Sequence, residues 1–358
     1  MSVVVREAVE ADRSAWDAYV ASCPEADVLQ SWAWGEAWRP EGEMPVRLVA
    51  IGEAGEFRAA AQLLVRPTSA GRSIVYVPHG PIWPRSDPDR EGLFGAILDG
   101  IAATARNHRS VVVKLDPRTS TSAAAGPSVA ELATRYGLHR ARHDLQAQTT
   151  RIVELRDGGP ELAATWDKDE RNRVRRAKRE GVTTTIDRTA EPATIAAFAR
   201  ILAETSERER FHARSSTFLG RVAAELARDG AWYLSLAHRG GRAIAGVVTP
   251  RVGDRAFYLY GASSRDPELR HAFGSDAAMA DAMAALAADG VRTLDMWGVL
   301  ERDDPTADPS WEGFSLFKRR FGGAAIRHPG TFDLVVDRPA YLLRNARERV
   351  ADAIGWAR

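Results

Sequence analysis

The chain has 358 residues, 45% of them hydrophobic and 27% charged, with a formal net charge of +1. Such a length favours two domains over one core, and the even charge balance excludes a disordered polyelectrolyte or a globally basic nucleic-acid binder, so any nucleic-acid contact must be a local patch. The single cysteine, Cys23, excludes an internal disulfide and a cysteine-cluster metal site. The opening MSVVVREAVEADR meets acidic residues at once, unlike a signal peptide, and no apolar run approaches membrane-spanning length, so the chain reads as cytoplasmic.

In chain order, the pattern predicts a strand over Val3–Arg6 and a helix over Ala11–Ser22. The stretch Leu29-Gln30-Ser31 to Trp38 carries three tryptophans, and Trp34 and Trp38, four apart, share a helix face that reads as core. Strands follow at Val46–Ile51, Phe57–Arg66 and Ser73–Pro78, the last two joined by a Pro-Thr-Ser-Ala-Gly turn. A helix over Asp89–Asn107 buries Leu93, Phe94, Ile97, Leu98 and Ile101, a strand runs from Val111 to Leu115 and stops at Asp116-Pro117, and a further helix covers Val129–Tyr136. A boundary near Arg151–Gly159 divides the chain into domains 1–150 and 151–358.

Just past that boundary, seven of the fourteen residues from Lys168 to Gly181 are Lys or Arg. On a helix they read either as a solvated face with i,i+4 partners in Asp169, Glu170 and Glu180, or as a phosphate-binding ridge whose affinity would fall with salt. Further on, Phe257–Ser264 reads as one strand. A helix over His271–Asp289 presents Phe273, Met279, Met283 and Leu286, Gly290 stands at its C-cap, and a strand covers Arg292–Gly298. Strand, crossover helix and strand make a βαβ-like unit, beyond whose carboxyl edge ligands bind in open α/β sheets. The segment FSLFKRRFGG, with Phe317 and Lys318, follows that edge. The first half carries the same succession, ending at Leu115-Asp116, so the chain reads as two copies of one α/β unit. Tyr341–Arg358 reads as a basic amphipathic helix that packs on the second domain, with contact to a bilayer as a second role.

These segments, in this order and spacing, resemble the FemABX group of non-ribosomal peptidyl transferases. The likeness runs through Leu29 to Trp38, Tyr76 to Pro81, Lys114-Leu115-Asp116-Pro117, Arg171 to Val182, Glu207 to Phe218, Tyr258 to Gly261 and Phe314 to Phe321. It implies an α/β fold of two tandem GNAT-like domains, with mixed sheets flanked by helices, in the compact form without a coiled-coil arm. The implied reaction is transfer of an amino acid from an aminoacyl-tRNA to the stem-peptide amine of a peptidoglycan precursor, UDP-MurNAc-pentapeptide or lipid II. No metal or organic cofactor is implied, and the place of work is the cytoplasm or the inner face of the plasma membrane.

An amine attacking an ester needs a cation or donor at the developing oxyanion and an acceptor for the amine's proton. By resemblance, Lys318 supplies the first and Asp116 is the candidate for the second. Arg214 matches a phosphate-contacting arginine, whose guanidinium can bond two oxygens at once. Glu36 stands where one relative has a phosphate-binding lysine, which implies a different mode of acceptor binding. Trp34, Tyr260 and Phe317 complete the implied substrate-lining set, and Arg171, Arg175, Arg176, Lys178 and Arg179 the tRNA-binding set. The rival reading on this fold is a CoA-dependent N-acetyltransferase, which needs a glycine-rich turn at a helix N-terminus to cradle a pyrophosphate. The corresponding stretch, Arg270 to Asp276, has one glycine and an acidic residue. A third reading, a non-catalytic RNA-binding protein, would use the basic stretch and leave Lys318 without a role.

Overall fold

The computed structural model describes residues 3–118, 128–155, 159–209, 215–264, 266–269, 271–301 and 311–353. The chain forms two compact units, Met1–Gln146 with His328–Arg358, and Ala147–Arg327. In the first unit, β1 (Val4–Glu7), β2 (Met44–Ile51), β3 (Phe57–Pro67) and β4 (Ser73–Val77) are successive antiparallel neighbours, and β5 (Ser110–Leu115) lies parallel to β4. Two helices, α1 (Arg13–Ser22) and α2 (Trp32–Trp38), precede β2, and α3 (Arg90–Asn107) makes the crossover to β5. As the spacing predicts, α3 buries Leu93, Phe94, Ile97, Leu98 and Ile101 in the same core as Leu48, Leu63, Val75 and Val113. After α4 (Val129–Arg135) comes the short β6 (His139–Arg140).

In the second unit, β7 (Thr149–Glu154) leads through α5 (Gly159–Ala164) into α6 (Lys168–Arg179), the basic stretch, which is a helix. Then follow β8 (Val182–Asp187), α7 (Pro192–Glu209), α8 (Ser216–Arg228), β9 (Leu234–Arg239), β10 (Arg242–Val248), β11 (Arg251–Val252), β12 (Arg255–Phe257) and β13 (Tyr260–Ser263). The unit closes with α9 (Gly274–Ala288), β14 (Thr293–Gly298), α10 (Glu312–Arg320) and β15 (Ala324–Arg327). Its strands form a four-stranded sheet, β13-β10-β9-β8, and a five-stranded sheet, β11-β12-β14-β7-β15, in which only β12 and β14 are parallel. Helix α9 is apolar on nearly all sides and buries Met279, Met283 and Leu286 with a run of alanines, the signature of a helix covered on more than one face. Phe273 is not part of that helix: it precedes it in the left-handed region at φ 53°. In each unit a parallel strand pair flanks a crossover helix, so the sequence repeat is also a structural one.

The tail differs from the sequence reading. Domain 151–358 does not hold together as such, because β16 (Phe332–Val335) pairs antiparallel with β5 and β6, and α11 (Arg338–Ala353) follows it in the first unit. Phe332 stands opposite Leu115, and Asp333 opposite Lys114, whose Nζ it binds at 2.8 Å. Without β16 the edge of β5 would be an open row of N–H and C=O groups beside an apolar core. Among the described residues no helix is long and apolar enough to cross a membrane.

Candidate active site

The predicted strand Phe257–Ser264 is in fact two, and the break between them makes the site in the second unit. Phe257 pairs with Asp295 of β14, and the Tyr258 N–H still bonds the Asp295 carbonyl at 2.7 Å. One residue later the Leu259 N–H bonds Val248 of the other sheet at 2.9 Å, and β13 continues along β10. The two parallel strands therefore part beyond Tyr258. Tyr260 is the first residue of β13, opposite Val248.

On the other side of this parting, β14 bulges against β7 between Asp295 and Gly298, with Trp297 in the left-handed region at φ 59°. Asp295 holds the bulge. Its carboxylate accepts the Trp297 N–H at 2.7 Å and the Thr150 hydroxyl. The carbonyl that the bulge presents, that of Gly298, accepts a hydrogen bond of 2.5 Å from Lys318 Nζ.

Lys318 reaches this place from α10 and is only 7% exposed. Its Nζ lies 5.3 Å from the Tyr258 ring centre and 5.0 Å from that of Phe314, the distance of cation–π contacts. Phe317 stacks 6.3 Å from Tyr258 and 5.3 Å from Phe321, which in turn meets Trp166 at 5.2 Å. Burial among these rings pushes the amine down to about 7, and the Asp295 carboxylate opposes the shift only in part. A lysine poised between ammonium and amine at neutral pH is the arrangement that proton transfer requires.

Two residues here escaped the sequence reading. Tyr258 forms the wall next to the amine, and burial pushes its phenol up, so it stays a neutral O–H donor at physiological pH. Gly261 makes room for it: a Cβ there would stand 1.8 Å from the Tyr258 hydroxyl oxygen. The signal was present in Tyr-Leu-Tyr-Gly, where a glycine inside a strand marks a close approach.

The other expected residues are placed as follows. Asp116 lies in the first unit, beyond the carboxyl ends of the parallel pair β4 and β5, and is buried. It accepts the Tyr76 hydroxyl at 2.9 Å and the His79 N–H at 2.6 Å; burial raises its pKa against these partners. His79, at φ 49°, hydrogen-bonds through Nδ1 to Asp27, which also takes Arg118 Nη1 at 2.8 Å. Burial alone would raise the Asp27 carboxyl, but His79 and Arg118 outweigh it and hold it at about 2.

The tryptophan-rich segment anchors this turn and does not line a surface. Gln30 donates to Pro78 O at 2.6 Å and accepts the Gln62 N–H at 2.9 Å, while Gln62 donates to Leu29 and Ser31 carbonyls. Trp34 is buried with its ring 6.1 Å from that of Trp38, which corrects its substrate-binding assignment to a core one. Glu36 is engaged by Arg39 at 2.9 Å and Arg47 at 3.0 Å; burial opposes ionisation, and the two arginines still lower its pKa. The carboxylate is thus neutralised within the chain. Arg214 lies outside the described residues.

On α6, the half-buried Arg171 donates to the Trp166 carbonyl. Arg175, Arg176, Lys178 and Arg179 are exposed, with Arg176 paired to Glu180 at 2.6 Å and Lys178 to Asp281 at 2.8 Å. Glu170, read as a solvated partner, is instead 0% exposed, and burial together with Asp276 of α9 pushes it up to about 9. Among the described residues no group of three or more His, Cys, Asp or Glu is arranged to hold a metal ion.

The chain is similar to several known proteins. Residues 168–305 match the family model of the GNAT acetyltransferase domain. Over 94% of this chain and 95% of theirs, lipid II:glycine glycyltransferases of Staphylococcus epidermidis and Staphylococcus aureus are 23% identical to it. The crystal structure of FemX superposes with a TM-score of 0.81 at 20% identity, over 95% of this chain and 99% of that one. Over nearly its whole length the chain is similar to transferases of the FemABX kind. A tandem GNAT protein from the clavulanic acid biosynthesis pathway shares the fold more distantly, at a TM-score of 0.58 and 13% identity over 94% of this chain and 99% of that one. Lys318, Phe317 and Tyr258 all fall in segments that carried the resemblance.

Proposed function

We propose that this chain transfers an amino acid from an aminoacyl-tRNA to the stem-peptide amine of a peptidoglycan precursor, with the aminoacyl-tRNA as co-substrate and no metal or organic cofactor. The observation that carries the reading is the desolvated Lys318 amine at the parting of the parallel strands. Attack of an amine on an ester carbonyl develops negative charge on the carbonyl oxygen, and then expels the ribose hydroxyl. Protonated Lys318 has three N–H donors. One is taken by Gly298 O, which leaves two for the oxyanion and the departing oxygen. With its pKa near 7, the group can pass a proton to that oxygen while the attacking amine sheds one. Asp116 is proposed as the residue that meets the acceptor amine, and the exposed arginines and lysine of α6 as the tRNA contact. Since its staphylococcal relatives are named for lipid II and glycine, the pair to try first is glycyl-tRNA and a lipid-linked acceptor, which would place the work at the membrane face.

The match to an acetyltransferase model favours a second reading, a CoA-dependent N-acetyltransferase. The start of α9 weighs against it: Glu170 and Asp276 bring two buried carboxyl groups to the helix N-terminus where a pyrophosphate would sit. The test is a transfer assay with labelled aminoacyl-tRNAs and both nucleotide- and lipid-linked precursors, with and without ribonuclease. Ribonuclease-sensitive label in a precursor, lost in Lys318→Ala, supports the proposal. Consumption of acetyl-CoA in the presence of an amine, with no label moved, would refute it.

A further inference from the structure

The C-terminal helix α11 faces outward with its apolar side, against the rule that helices turn that side to the core. It is fixed from the opposite side. The Tyr341 hydroxyl donates to Asp333 at 2.9 Å, Asp337 accepts the Ala340 N–H at 3.0 Å at the helix start, and Asp337 also pairs with Arg72. Arg344 and Glu348, on the same inner side, bind each other at 2.6 Å. Leu342 and Leu343 are left 59% and 55% exposed, beside the exposed Pro339 and Ala346. At 3.6 residues per turn these four lie on one stripe. The exposed Arg347 borders it on one side and the exposed Arg338 and Arg349 on the other.

Two features single out the partner. A stripe of adjacent leucines in water is unfavourable unless something covers it. A protein surface that covered it would need acidic groups placed opposite each arginine, whereas a bilayer of anionic lipid supplies negative charge at every position around an inserted apolar stripe. Arginine side chains on the rim can keep their apolar stems in the interface and their guanidinium groups among the headgroups. From Arg338 to Arg349 the helix carries four arginines and one glutamate, and that glutamate is held by Arg344.

We propose that α11 is an interfacial anchor that lies in the plane of an anionic bilayer with Leu342 and Leu343 inserted. The anchor holds for vesicles without any acceptor lipid and so stands apart from the transfer reaction. The test is flotation of the full chain with phosphatidylcholine vesicles containing about one third phosphatidylglycerol, and with pure phosphatidylcholine vesicles. The expected result is binding to the anionic vesicles that weakens at high salt. Loss of about tenfold or more is expected in Leu342→Asn with Leu343→Asn, and again in Arg347→Glu with Arg349→Glu. All four positions are exposed, so unchanged far-ultraviolet circular dichroism and melting serve as the folding control. Equal binding to neutral and anionic vesicles, or undiminished binding by the leucine variant, overturns the proposal. So does a wild-type dimer in sedimentation that the leucine variant converts to monomer without any vesicle binding, since the stripe would then serve a second copy of the chain.

Discussion

Asp27 in the first unit and Lys318 in the second are buried almost equally, at 0% and 7% exposure, yet their surroundings drive them in opposite directions. Asp27 accepts hydrogen bonds from His79, Arg118 and the Leu29 N–H, so its charge is fully matched and its carboxyl is held at about 2. Lys318 has one carbonyl and a ring of aromatic faces, and desolvation brings it to about 7. A charge buried with partners is fixed as structure, and one buried without enough of them is left able to exchange a proton. Asp116, raised by burial but bonded to Tyr76 and the His79 N–H, stands between the two.

Changes at these residues break the comparison where it should be weakest. Lys318→Ala is expected to lower transfer by about a thousandfold, the loss typical of a removed oxyanion donor, with folding intact by circular dichroism. Lys318→Met should be as inactive but more stable than wild type below neutral pH. The sign follows from linkage: an amine at about 7 in the folded chain and at its ordinary 10.5 when unfolded disfavours folding most below 7, and that cost fades as pH rises to 10.5. Over that range wild type should gain several kcal/mol relative to Lys318→Met, roughly 1.4 per pH unit, read as the difference between their denaturant titrations so that the other titrating groups cancel.

Asp27→Ala removes the carboxylate that accepts from the buried His79 and Arg118 side chains and should cost about 3–5 kcal/mol, seen as a lower urea midpoint. In the wild type this stability is present above the ordinary carboxyl value of 3.8 and is lost as pH falls towards 2. Glu170 sharpens the comparison from within the second unit, because burial and Asp276 raise it. Its protonated form dominates in the folded chain up to about 9, so stability should fall as pH climbs from the ordinary carboxyl range to that value. Glu170→Gln should remove most of that slope, and an unchanged slope would show that the pair is solvated.

The smallest expected effect is at Gly261→Ala. The new methyl must displace the Tyr258 ring, with about 1–3 kcal/mol of overpacking and a fall in kcat of about tenfold or more, at little change in KM. Unaltered kcat would remove Tyr258 from the site.

Local pattern carried much of this into the sequence. The apolar stripe of α3, the βαβ unit around α9 and the place of Lys318 beyond its carboxyl edge were all legible, because each depends on neighbours within a few turns of chain. Partners distant in sequence were not. Phe257–Ser264 reads as one strand because its run of bulky residues continues through Tyr258 to Tyr260, and the change of sheet is set by partners distant in sequence. The sequence reading assigned no element to Phe332–Val335, and nothing local there names β5 as its partner, which placed the tail in the wrong unit. Glu170, set among charged residues, looked solvated because only the packing of α9 against α6 buries it. The burial of Trp34 and the pairing of Glu36 have the same cause: a resemblance marked the segment, but its network runs through Gln62 and Arg47, distant in sequence.

The most direct measurement is the pH dependence of the single-turnover transfer rate in wild type and Lys318→Ala, with glycyl-tRNA and a lipid-linked precursor. A wild-type inflection near pH 7, absent from a variant about a thousandfold slower, is the predicted result. Transfer by the variant at the wild-type rate, or the same inflection in both, would contradict the account.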